Sequence, residues 1–115
     1  MIDVYGIPNC DTVKKCLDWL TKHKIEFLFH NYKKEGVTTT ILKDWMNQQD
    51  FTLIVNTKSA TYKKLTPEDQ AKCLKGATAV PVLQENTSLI KRPILTKKGK
   101  IIAVGFDPAV YEKLF

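Results

Sequence analysis

The feature that narrows the possible folds most lies at the N-terminus, where two strand-like segments flank one amphipathic helix. "IDVYG" (residues 2–6) is a short run of β-formers closed by Gly6 and Pro8. From Asp11 the period changes. Val13, Cys16, Leu17 and Leu20 fall at i, i+3, i+4 and i+7, the stripe of a helix with one buried face. That helix runs out near His23-Lys24, and "IEFLFHNY" (25–32) is again rich in β-formers. Two strands joined through a helix form a βαβ unit, which predicts parallel pairing and a right-handed crossover.

The other end of the chain follows a different grammar. "PILT" and "IIAV" are two strands joined across "KKGK", hence a β-hairpin, and Asp107-Pro108 then caps a last helix, "AVYEKLF". The middle is mostly helical. Thr38 to Thr40 offer N-caps for a helix carrying Ile41, Leu42, Trp45 and Met46, and Thr66-Pro67-Glu68-Asp69 marks a further helix start. "FTLIVN" (51–56) fits either a strand or a buried helical turn, and "VPVLQEN" opens a further short helix. The predicted class is therefore α/β, in the order βαβ, a helical insertion over about 38–90, then ββα. With 115 residues and no repeat or low-complexity linker, the chain is expected to form one domain, 1–115.

Composition excludes several classes of function. No apolar run approaches the roughly 18 to 20 residues that span a bilayer. "MIDVY" carries no basic segment followed by a hydrophobic one, so a cytoplasmic address without membrane association is expected. Three cysteines, an odd number, suit a reducing compartment better than a disulfide scaffold. The net charge of +6 is spread along the chain in pairs such as Lys14-Lys15, Lys33-Lys34, Lys63-Lys64 and Lys97-Lys98. That spacing reads as a solvated surface rather than a nucleic-acid footprint. Every basic residue is lysine except Arg92. A single arginine in such a chain fits either a position that uses a planar, bidentate donor or chance.

The chemistry concentrates on Cys10. It lies in the turn "IPNCDT", between a strand end and a helix start, where backbone N–H groups lack intrahelical partners and the helix dipole is positive. A thiolate there is favoured, so the pKa is expected below the free value of about 8.5, with Lys14 one turn along adding to the effect. The thiolate is the form that attacks a disulfide or another oxidised centre. Cys16 is not its redox partner. Six residues of helix separate the two by roughly 9 Å of rise and about 240° of rotation. A disulfide needs Cα atoms within roughly 7 Å. Cys16 also belongs to the apolar stripe, where a free cysteine acts as a small hydrophobe. Cys73 has no readable partner. No CxxC, HxxxH or Cys/His cluster at ligand spacing is present, so no metal is expected.

Four stretches in register, "YGIPNCDTVKKCLDWL", "NTKSATYKKL", "SLIKRPIL" and "GKIIAVGF", resemble the arsenate-reductase (ArsC)/Spx family of thioredoxin-like proteins. The likeness spans almost the whole chain and is greatest to the YffB-like branch of small thiol reductases. It implies a thioredoxin-like fold with a helical insertion between its βαβ and ββα parts, and a cis-proline at Pro93 facing the active cysteine. In family members that reduce arsenate, a cysteine attacks an oxyanion held by three arginines, and glutathione and glutaredoxin complete the cycle. Cys10 matches that nucleophile and Arg92 matches one arginine. Lys58 stands where a second arginine would, keeping the charge but losing the planar fork. "IIAVGF" replaces the third. Asn9, Lys14, Lys58 and Pro93 complete the substrate- or anion-binding set that the resemblance implies. Spx-type regulators of the family bind RNA polymerase and carry a CxxC switch at this turn, where this chain has Val13. The expectation is a thiol oxidoreductase working through Cys10, with no bound cofactor. Glutathione or another small thiol would be its co-substrate, and a small disulfide or glutaredoxin its partner. The alternatives are an arsenate reductase with a degenerate anion site and a regulator that performs no turnover.

Overall fold

Alternation in "IDVYG" sorts into a strand, β1 (Ile2–Gly6), with Ile2 and Val4 buried and Asp3 and Tyr5 half-buried on the opposite face. The computed structural model describes the backbone of residues 1–115 and all side chains but those of residues 51, 52, 76 and 77. Helix α1 (Asp11–Lys22) buries Val13, Cys16 and Leu20, three of the four stripe positions, while Leu17 is partly buried. It ends in a Schellman motif. Lys24 takes a left-handed φ of 59°, its N–H donates to the Thr21 carbonyl, and the Ile25 N–H reaches back to Leu20 at 2.9 Å. Strand β2 (Phe27–Asn31) then pairs parallel with β1, Ile2 opposite Phe27 and Gly6 opposite Asn31. The predicted strand stops one residue early, because Tyr32 starts a single helical turn, α2 (Tyr32–Glu35). Asn31 accepts from the Lys33 and Lys34 N–H groups, and Glu35 accepts from the Asn31 N–H at 2.8 Å. These side chains offer the backbone an alternative to extension.

The chain divides into two compact units, Met1–Glu35 with Arg92–Phe115, and Gly36–Lys91. In the first unit, β3 (Ile94–Lys97) pairs antiparallel with β1, and β4 (Lys100–Val104) pairs antiparallel with β3. The sheet order is β2-β1-β3-β4. Lys98 (φ 54°) and Gly99 (φ 81°) form the two-residue turn between β3 and β4, the positive φ at both positions that a tight hairpin requires. Its last helix has Asp107 as N-cap, accepting from the Ala109 N–H at 3.0 Å. The core of this unit gathers Ile2, Val4, Cys16, Leu20, Leu95 and Tyr111.

The second unit is the helical insertion. Its helices are α3 (Thr39–Gln48, capped by Thr38), α4 (Phe51–Ile54), α5 (Ala60–Lys63), α6 (Pro67–Lys72, capped by Thr66) and α7 (Gly76–Glu85). A 3-10 turn (Thr87–Leu89) follows. The ambiguous "FTLIVN" resolves both ways: α4 is followed by Val55, which bridges antiparallel to Ile90. Helix α7 begins before the predicted start at Val80, which leaves Pro81 inside it. An interior proline costs about 3 kcal/mol, and burial of Ala79, Val80, Val82 and Leu83 offsets that cost. Among the described residues no helix is long and apolar enough to cross a membrane.

Candidate functional site

The turn leaving β1 delivers Cys10 to the head of α1, and close packing fixes the angle of delivery. A Cβ on Gly6 would lie 2.9 Å from Val13 Cγ2, so only glycine lets the strand end approach the first helical turn this closely. Ile7 anchors the turn in the core, while Pro8 and Asn9 are exposed. Cys10 is the N-cap residue of α1, with extended backbone (φ −110°, ψ 126°). Its carbonyl accepts from the Lys14 N–H at 3.0 Å, and its side chain is half-buried.

The environment of the sulfur has two parts. Partial burial opposes ionisation and is the largest single influence. It is outweighed by the Val13 N–H, the hydrogen-bonding Arg92 guanidinium, the Thr12 N–H and the positive charge of Arg92, so the thiol lies below its ordinary pKa. Thr12 and Val13 are helix-start amides with no carbonyl to bind within the helix; the Cys10 side chain makes no capping hydrogen bond to them, and both favour its ionised form. The side chain of Lys14 is exposed and is not among the groups that move the thiol. Its contribution to the turn is the backbone N–H.

Arg92 is half-buried and enters from the start of β3, joined to the buried Pro93 by a cis peptide bond. The Pro93 carbonyl accepts from the Gly105 N–H at 2.7 Å, which ties this entry to the end of β4. The first unit thus brings together Cys10 and Arg92, with Asn9 and Lys14 beside the cysteine in sequence and Pro93 beside the arginine. Lys58 belongs to the second unit. There it is exposed on a turn in which Asn56 Oδ1 accepts from its N–H at 3.2 Å and Ser59 caps α5.

The other cysteines lack these features. Cys16 is fully buried, and burial pushes its thiol up, partly offset by Tyr111. Tyr111 Oη donates to the Gly105 carbonyl at 2.7 Å, so the Cys16 thiol is the donor in its 3.4 Å contact with that oxygen. Cys73 is also buried, and burial together with the Asp69 charge pushes it up. All three cysteines are free thiols. Among the described residues, no group of three His, Cys, Asp or Glu side chains could hold a metal ion.

One residue at this site was not singled out from the sequence. Tyr32 is buried, and its phenol lies within the field of Arg92. Its position at the end of an apolar run carries no polar signature, so only the pairing of β1 with both neighbours shows where it goes.

The model of the ArsC family matches residues 5–114. Among solved structures, the chain is 34% identical to the YFFB protein, covering 98% of this chain and 97% of that one, with a TM-score of 0.90. It is 37% identical to an arsenate reductase (ArsC) related protein from Brucella melitensis, covering 97% and 92%, with a TM-score of 0.76. It is also 28% identical to the global transcriptional regulator Spx 1 of Lactococcus lactis, over 93% of this chain and 83% of that protein.

Proposed function

The chain belongs to the ArsC family, with its thioredoxin-like α/β fold, and from that premise we propose that it is a thiol-dependent oxidoreductase working through Cys10. The observation that carries this reading is the Cys10 sulfur, stabilised as thiolate by two helix-start amides and by Arg92. A thiol held below its ordinary pKa offers more thiolate at a given pH, and a thiolate once formed needs no general base.

In the proposed cycle the Cys10 thiolate attacks one sulfur of a disulfide. A new S–S bond forms to Cys10 and the other sulfur leaves as a thiolate. A small thiol of the glutathione class then attacks this mixed disulfide, forms its own disulfide with the bound half, and releases Cys10 as thiolate. The small thiol supplies the electrons, which suits a chain whose Cys16 is buried and six residues along the helix. Arg92 would hold an anionic group of the substrate close to the sulfur. Asn9 and Lys14 would supply further polar and positive contacts, and Pro93 would shape the wall beside them. A cytoplasmic setting, where small thiols are reduced, fits this chemistry.

The test is intact-mass measurement after incubation with oxidised glutathione at neutral pH. A single glutathione adduct is expected, absent in Cys10→Ser and released by reduced glutathione. No adduct on the wild-type chain would sink the reading. The likeness to an arsenate reductase related protein favours a second substrate class, tested by arsenate-dependent oxidation of glutathione. Poor turnover is expected there, since Lys58 replaces one arginine and "IIAVGF" supplies none. The likeness to Spx 1 favours a regulatory reading, for which co-purification with RNA polymerase is the measurement. Val13, buried against Gly6, stands where a CxxC switch would need its second thiol.

A further inference from the structure

We propose that Tyr32 is a positioning residue whose buried phenol holds the Arg92 guanidinium in place beside Cys10. This rests on the reading of Cys10 as the nucleophile and deepens it by naming what fixes the arm that would bind the substrate's anionic group.

Sheet register carries the first part of the inference. Gly6 pairs with Asn31, so Tyr32 is the first residue past β2, on one flank of the end of β1 from which the Cys10 turn departs. On the other flank, Tyr5 pairs with Ile94, and Arg92 stands two residues before Ile94. Tyr32 and Arg92 therefore converge on the end of β1 from opposite sides, with Cys10 following that end in the chain.

Burial carries the second part. Tyr32 is 1% exposed, among the largest fully buried side chains of the molecule. Phenylalanine would fill the same volume without the cost of taking a hydroxyl from water. The phenol lies within the field of Arg92, and Tyr5 stands close enough to add its own influence. Arg92 in turn acts on Cys10 through a hydrogen bond and through its charge. A guanidinium carries five N–H donors in a rigid fork, so it can serve the sulfur on one edge and a phenol oxygen on another. Its long side chain has rotamer entropy to lose, and a buried phenol that fixed it would spend that entropy before the substrate arrives.

The experiment follows the rate of Cys10 alkylation by iodoacetamide against pH, read by intact mass, in the wild type, Tyr32→Phe, Arg92→Gln and the double variant. Thermal melts by circular dichroism confirm that each is folded. Tyr32→Phe is expected to slow alkylation at pH 7 by about threefold and Arg92→Gln by about tenfold, each by raising the thiol pKa. The double variant is expected to match Arg92→Gln alone, because the tyrosine acts through the arginine. A low wild-type pKa left unchanged by Tyr32→Phe overturns the proposal. So does an equal effect of Tyr32→Phe with and without Arg92, which marks a merely structural residue. A wild-type thiol titrating at the free value overturns the reading of Cys10 itself, a result distinct from the other two.

Discussion

Cys10 and Cys16 stand six residues apart at the head and middle of one helix, and their surroundings drive them in opposite directions. At the head, amides without helical partners and a guanidinium draw the sulfur toward the anion. In the middle, every amide is spent within the helix and the sulfur lies beside Tyr111 in a core shared with Val4, Leu20 and Leu95, so burial favours the thiol. The same side chain is thus a nucleophile or a packing group according to which turn carries it.

The comparison can be broken most sharply by labelling. Cys10→Ser should remove all reaction of the folded protein with iodoacetamide, and Cys16→Ser should leave it intact, as read by mass before and after unfolding. A folded chain labelled at Cys16 would end the distinction. Next in size is Gly6→Ala. Its new methyl would lie 2.9 Å from Val13 Cγ2, so strand and helix must part. A cost of about 1–3 kcal/mol in urea denaturation is expected, with a rise in the Cys10 pKa as the helix head shifts. Smaller still is Cys16→Ala, expected to cost about 1–2 kcal/mol through its cavity and the lost contact with Tyr111. Cys10→Ser should stay within about 0.5 kcal/mol, because its side chain is only half-buried.

The smallest effect is the one of opposite sign. Folding lowers the pKa of Cys10, so its share of stability is present above the unfolded thiol's pKa and is lost as pH falls through the folded value. Folding raises the pKa of Cys16, so its share is present below the unfolded pKa and is lost as pH rises through the folded value. Denaturation midpoints from about pH 6 to 10 should therefore fall less steeply toward acid in Cys10→Ser and less steeply toward alkali in Cys16→Ala. Parallel curves in both variants would show that the two thiols do not differ in this way.

Much of this was legible before any coordinates, and for a physical reason. The stripe from Val13 to Leu20, the caps at Thr38, Thr66 and Asp107, and the lysine-glycine hairpin turn are local signals acting over a few residues. Glycine and proline placed Cys10 at a helix head, which foretold the direction of its pKa. What was not legible is set by long-range contact. Tyr32 ends an apolar run, and only the pairing of β1 with both neighbours brings it near Arg92. Lys14 stands one turn from Cys10 in the sequence, and helix geometry leaves its side chain exposed while its amide donates to the Cys10 carbonyl. "VPVLQEN" reads as a helix opening at Val80, whereas α7 begins at Gly76 and takes Pro81 inside it.

The insertion between Glu35 and Arg92 also sets a timetable. The ribosome completes β1, α1 and β2 while the arginine that acidifies Cys10 is still unmade. Until residue 92 emerges and β3 docks against β1, Cys10 has at most its helix-start amides. Closing so long a loop is slow compared with forming the local βαβ unit. An unfinished chain therefore carries a less reactive thiol, and full reactivity belongs to the completed molecule alone.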